Sequence, residues 1–269
     1  PQIMAGARIS ARSAARWARL PGLIGPVLAR LNGLSAQDAG SQDRLLTLGL
    51  PRAALLPCLD LKLLGPAAVT APTPSEIRDL TFLAASTHEG EDGAVLDAFL
   101  AARSQEPALR LILAPRHPDR ADAIAAQAET RGLSLARRSA GADNEPLILA
   151  DTLGEMARWY DRAGIVFTGG SLIDRGGHTP WEPAAHGCAI LHGPHVSNFA
   201  DAYAALDGAG AAQSVADLPA ALTALVRDPA RARDMGAAAR ALLTENAGDP
   251  GPLLARVAAL AQGAANADI

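Results

Sequence analysis

The residues with most chemical potential lie between Gly169 and Glu182, as Gly169-Gly170-Ser171 and then Gly176-Gly177-His178-Thr179-Pro180-Trp181-Glu182. Ile165-Val166-Phe167-Thr168 precedes them, an apolar run that reads as a buried parallel strand. Pro180-Trp181-Glu182-Pro183-Ala184-Ala185-His186-Gly187 follows, a short helix stopped by glycine. Doubly wound folds hold anionic ligands where a glycine-rich loop joins a strand's carboxyl end to a helix start. The chemistry to expect is recognition of a phosphate or a similar anion. Paired glycines also allow backbone to approach a bound group closely. Thr179 suits the N-cap, Pro180 the first helical position and Glu182 the third. That pattern is equally a capping box, in which Glu182 needs no ligand.

Four further loops fall at strand carboxyl ends and carry similar residue types. Ser86-Thr87-His88-Glu89-Gly90 offers hydroxyls to an anion, or a cap for the helix near Gly93. In Pro115-Arg116-His117-Pro118, a guanidinium after an apolar strand can grip a phosphate with two directed hydrogen bonds. Arg116 can instead be a surface residue or pair with Asp119. Asp151-Thr152-Leu153-Gly154-Glu155 either presents backbone to a flat base or simply starts a helix, with Asp151 reading as a cap. Gly193-Pro194-His195 closes the series.

Other chemistries find no support. His178, His186, Cys188, His192 and His195 match no zinc spacing, and His88-Glu89 lacks the second histidine of a zinc-peptidase helix. There is no Gly-x-Ser-x-Gly elbow and no Walker loop. Two cysteines, Cys58 and Cys188, make no disulfide framework, and Cys188 reads as buried and inert. With a net charge of −4 and few aromatics for stacking, nucleic acid is not an expected partner. The amino-terminal quarter runs against the overall charge. Arg8, Arg12, Arg16 and Arg19 recur at helical spacing near Trp17 and Leu20-Pro21-Gly22-Leu23-Ile24. Such a helix can rest on an anionic membrane surface, or be an ordinary solvated face.

These loops need a frame to position them. With 49% hydrophobic and 19% charged residues over 269 positions, the chain is globular, with ample core for one large or two smaller α/β domains. Strands are expected at Gln2–Gly6 and Ala53–Leu56. After the proline-rich segment from Gly65 to Pro74, they are expected at Thr81–Ala85, Leu109–Ala114, Leu133–Arg137, Leu147–Ala150, Ile165–Thr168, Ala189–His192 and Ala211–Val215. Intervening helical patterns, among them Gly93–Arg103, Pro118–Arg131, Gly154–Arg162 and Asn198–Leu206, argue for a parallel sheet with right-handed crossovers. An Ala-Gly tail after Gln262 is expected to fray.

Taken in order, Ala85-Ser86-Thr87-His88-Glu89-Gly90-Glu91, Ala114-Pro115-Arg116-His117-Pro118, Asp151–Glu155, Gly169-Gly170-Ser171, Gly176-Gly177-His178 with Glu182-Pro183, and Gly193-Pro194-His195 with Asn198-Phe199 resemble one family. It is the 3-deoxy-D-manno-octulosonic acid (Kdo) transferases of lipopolysaccharide biosynthesis. Ala7–Ser13 and Leu20–Leu23 resemble it as well, and the likeness runs from about residue 3 to residue 206.

The resemblance implies an α/β fold of GT-B type, with one complete Rossmann-like domain and the remaining end of a second. Residues 1–70 would close the acceptor domain and supply the linker, residues 71–250 would bind the donor nucleotide, and residues 251–269 would be a crossing helix and tail. It also implies transfer of Kdo from CMP-Kdo to a lipid A precursor by a peripheral enzyme at the cytoplasmic face of the bacterial inner membrane, without metal or other cofactor. CMP contacts would fall on Pro115, Arg116, Leu153, Gly154, Glu155, Thr179, Pro180, Trp181 and Glu182. Ser86, Thr87, His88, Gly169, Gly170, Ser171, Gly177 and His178 are possible additions. No catalytic residue is assigned, because the family's general base is expected in an amino-terminal segment upstream of Pro1. Thr179 stands where an asparagine is usual, and Ala11 where an acid is usual. Two other readings stay open: a CMP-sugar-binding module without turnover, and another GT-B enzyme using a UDP-sugar.

Overall fold

The computed structural model describes residues 1–267. It divides into two compact units, Pro1–Ala67 with the segment from Thr244 onward, and Ala68–Leu243.

The first unit holds three parallel strands, β1 (Ile3–Ala7), β2 (Gly33–Ala36) and β3 (Leu55–Leu56), with β2 in the middle. The expected strand at Gln2–Gly6 lies one residue later, and the one at Ala53–Leu56 shrinks because a 3-10 turn occupies Arg52–Ala54. β2 is absent from the sequence expectations. Gly33-Leu34-Ser35-Ala36 has no β-branched or aromatic residue to announce it. Burial explains it instead: Leu34 and Ala36 pack among Leu28, Leu45, Leu48 and Leu50, while the Ser35 hydroxyl donates to the Pro57 carbonyl at 2.7 Å.

The four arginines do not share one helix. Ser10 caps a helix over Ala11–Trp17, accepting from the Ser13 amide at 3.2 Å, and a second helix begins at Pro21. Proline favours an extended residue before it, so the first helix stops short and only Arg12 and Arg16 lie within it. Both helices expose apolar side chains, with Trp17 39%, Leu20 53%, Leu23 55% and Val27 54% accessible. The last helix runs over Gly251–Ala267, so the fraying expected after Gln262 does not occur as far as Ala267; alanine favours helix strongly enough to carry it on. The rest of that tail lies outside the described residues.

The second unit is built on seven parallel strands: β4 (Thr81–Thr87), β5 (Arg110–Pro115), β6 (Ala136–Arg137), β7 (Leu147–Leu149), β8 (Ile165–Thr168), β9 (Ala189–His192) and β10 (Ala212–Ser214). Their order is β10-β9-β8-β4-β5-β7-β6. The expected strand over Leu133–Arg137 is reduced to the two residues of β6 at the sheet edge. Alternate residues of β4 face two cores. Phe82 and Ala84 pack with Val95, Phe99, Leu222 and Leu225 on one side, and Leu83 and Ala85 with Trp159, Tyr160 and Cys188 on the other.

From β4 the chain builds outward through β5 and β7, then crosses to β8 and builds the other way through β9 and β10. The direction therefore reverses between β4 and β8. Open parallel sheets bind ligands at the carboxyl ends of the strands where the order reverses in this way.

Candidate functional site

At this switch point the loop after β4 and the loop after β8 are locked together. The Gly169 amide donates to the Ala85 carbonyl at 2.8 Å. A β-carbon on Gly169 would stand 2.3 Å from the Ser86 carbonyl oxygen, so only glycine fits. β4 bulges here, and Ser86, at φ 57°, is the one non-glycine residue with positive φ among those described.

A buried carboxylate completes the lock. Glu91 accepts from the amides of Gly170 at 2.7 Å, Ser171 at 3.0 Å, Leu172 at 3.0 Å and His88 at 2.9 Å. Ser171 in turn braces the next strand, its hydroxyl accepting from Gly193 at 2.8 Å. The expectation that Thr87 serves an anion meets a competitor. Its hydroxyl is fully buried and donates to Asp92 at 2.8 Å, and Asp92 also pairs with Arg120. Among the described residues no hydrogen bond involves the Ser86 hydroxyl.

Arg116 follows directly on β5, and its amide donates to the Thr87 carbonyl at 2.9 Å. Its side chain is exposed, and no ion pair among the described residues involves it, with Asp119 or any other acid. Its charge is felt by His178 on the glycine loop, which burial first, then His88 and Arg116, hold below the ordinary histidine range. His88 is lowered too, chiefly by burial. The His88 and His178 Nε2 atoms are 3.0 Å apart, and the His117 ring stands edge-on to His88 with centroids 5.8 Å apart. Tyr203 fixes the backbone behind this group, its hydroxyl donating to the His178 carbonyl at 2.8 Å.

The helix after this loop departs from the capping-box expectation. It runs over Trp181–Ala185 with Pro180 at the N-cap. The Thr179 hydroxyl accepts from the Trp181 amide at 3.3 Å, two residues on rather than three. Glu182 does not turn back to cap. Its exposed carboxylate, in the first turn of the helix, accepts from the Tyr160 hydroxyl at 3.4 Å.

Around Leu153-Gly154-Glu155, Leu153 is 78% exposed, and Gly154, at φ 82°, has no neighbour within 4 Å of its would-be β-carbon. The Glu155 carboxylate is committed to protein. Arg138 donates to it from Nε and Nη2, Thr152 and Arg158 add further bonds, and its pKa falls to about 2, led by the Arg138 hydrogen bonds. Main chain at Gly154 is left open. Asp151 does not cap its helix; it accepts from the Ser139 amide at 2.8 Å and hydroxyl at 2.6 Å.

Of the remaining histidines, His186 is held against Asp161 at 2.7 Å and His192 against Asp207 at 3.0 Å, while His195 is exposed. Cys188 is fully buried, and burial pushes its thiol up to about 12, as its inert reading requires. Among the described residues no three metal-binding side chains converge. Glu91 and His117 are absent from the residues singled out as ligand contacts by sequence. Both sit inside quoted loops, but the contacts that distinguish them are tertiary.

A parallel sheet in this strand order, with a basic, glycine-lined switch point and a second parallel-sheet unit in the chain, defines a Rossmann-like α/β protein of the GT-B type. A family model described as 3-Deoxy-D-manno-octulosonic-acid transferase (kdotransferase) matches residues 1–64. Over 262 residues the chain is 33% identical to the 3-deoxy-D-manno-octulosonic acid transferase of Haemophilus influenzae, covering 92% of this chain and 61% of that protein. Over 175 residues it is 42% identical to that of Bordetella pertussis, covering 61% and 41%. The C-terminal CMP-Kdo binding domain of WaaA from Acinetobacter baumannii superposes with a TM-score of 0.58 at 28% identity, over 62% of this chain and 90% of that one. The chain belongs to the Kdo transferase family. It spans about two-fifths to three-fifths of these two curated relatives.

Proposed function

We propose that this chain provides the donor site of a glycosyltransferase that moves Kdo from CMP-Kdo to a lipid A precursor. The observation that carries the reading is Arg116 at the end of β5, tied by its amide to the end of β4, in no ion pair among the described residues and felt by His178 on the β8 loop, in a domain similar to one that binds CMP-Kdo. Breaking the bond between the Kdo anomeric carbon and the phosphate oxygen leaves an oxocarbenium-like sugar and places charge on the departing CMP. Arg116 lies where it can hold that phosphate as its charge grows. Glu182 accepts hydrogen bonds from the ribose hydroxyls, and Gly154 lets the cytosine lie against main chain. The acceptor hydroxyl must also lose a proton, a step we assign to no residue of this chain.

The lipid acceptor supports a second element of the proposal, contact with the cytoplasmic face of the inner membrane. Trp17 is exposed on the helix that carries Arg12 and Arg16, and Leu20, Leu23 and Val27 are exposed at the start of the next helix and along it, a combination suited to an anionic interface. No helix among the described residues is long and apolar enough to cross a bilayer.

Titration with CMP and UDP, together with an assay of Kdo transfer, tests the reading. Selective CMP binding with transfer supports it in full. CMP binding without transfer reduces the chain to a donor-binding module, and a preference for UDP overturns the donor assignment.

A further inference from the structure

The glycine loop is built like an anion nest, yet six of its amides are already spent. Glu91 takes those of Gly170, Ser171 and Leu172. The amides of Gly169, Gly177 and His178 go to the carbonyls of Ala85, Gly170 and Gly169. An oxyanion arriving at this edge also meets side chains, and those gathered here are His88, His117, His178 and Arg116.

His88 and His178 are not independent. Their rings are inclined by only 10°, with centroids 5.3 Å apart and Nε2 atoms 3.0 Å apart. That centroid separation equals the hydrogen bond plus two ring radii, so the rings lie end to end in one plane rather than face over face. A bond between two Nε2 atoms requires one to carry a proton and the other a lone pair. A second proton between them would set two N–H groups against each other. The charged and titratable groups facing His88 are Glu91, His117, Arg175 and Arg120, and those facing His178 are Arg116, Glu91 and His117. Glu91 is the one acid in this set, and its oxygens are already engaged by four amides. The shared bond excludes two charged rings, while burial and the neighbouring arginines favour the neutral pair, so an arriving anion would supply the missing countercharge.

We propose that His88 and His178 form a single proton-sharing receptor for an oxyanion, which takes up one proton when that anion binds. The proposal rests on the donor-site reading and gives the pair a defined role in it. The anion is either the phosphate or the sugar carboxylate of the donor.

Ring-proton NMR of the histidines in the full chain tests it, first without ligand and then with inorganic phosphate, CMP or free Kdo. Without ligand, both His88→Asn and His178→Asn should raise the titration midpoint of the remaining partner by at least about half a pH unit. A partner whose midpoint does not move in either variant overturns the pairing. A wild-type midpoint raised by phosphate and CMP supports the receptor and assigns it to the phosphate. One raised only by free Kdo supports it and assigns it to the carboxylate. A midpoint raised by none of the three overturns the receptor. If phosphate raises the midpoint but CMP does not bind, the receptor stands and the nucleotide reading fails.

Discussion

The Glu91 carboxylate accepts from the Gly170 amide at 2.7 Å across 79 positions of chain. This contact, with those to Ser171 and Leu172, joins the two loops at the switch point and uses an anion of the protein's own to shape the site. Glu91→Gln places an N–H₂ group against amide donors. It should destabilise the fold by about 2–4 kcal/mol, read by chemical denaturation. A variant as stable as the parent would remove Glu91 from this role.

Gly169 and Gly154 should respond differently to alanine. At Gly169 the new methyl meets the Ser86 carbonyl at 2.3 Å, so Gly169→Ala should cost about 2–4 kcal/mol. At Gly154 there is open space, and Gly154→Ala should cost only about 1 kcal/mol, from positive φ alone. Paired thermal melts decide the ordering.

Arg116→Ala should leave stability within about 0.5 kcal/mol, because the side chain is exposed and unpaired. CMP binding should weaken by about 1.5–3 kcal/mol, roughly tenfold to a hundredfold. Calorimetry of both proteins measures the pair of effects; unchanged affinity removes Arg116 from the site.

Glu155 should show its salt bridge in acid. Its pKa is depressed to about 2, below the unfolded carboxylate value of 4.5. The stabilisation is therefore present above the unfolded value and is lost as pH falls toward 2. Replacing Arg138 by alanine should raise the Glu155 midpoint toward the ordinary range. A carboxyl-carbon NMR titration reads that change directly.

The proposed membrane face makes its own prediction. Leu23→Glu puts a charge on an exposed apolar position, 55% accessible, and should cost no more than about 0.5 kcal/mol of stability. Co-sedimentation with phosphatidylglycerol-containing vesicles should fall well below that of the parent. Equal sedimentation of both proteins would place any membrane contact elsewhere.

The sequence by itself determined the parallel α/β class, the strands that carry the main sheet and the loops at their carboxyl ends. Apolar runs such as Ile165–Thr168, and glycine and proline punctuation, are local signals that act through near neighbours along the chain. Tertiary structure decided what each polar group does, because hydrogen-bond partners are set by strand order rather than by spacing. Thr179 and Glu182 have capping-box spacing, yet Glu182 faces Tyr160 from the preceding helix. Nothing in the spacing of Glu155 shows that Arg138, 17 positions away, donates to its carboxylate. β2 carries no strand signal and becomes one because its residues are buried between two others. The pairing of His88 with His178, 90 positions apart, exists only because β4 and β8 are neighbours in the sheet.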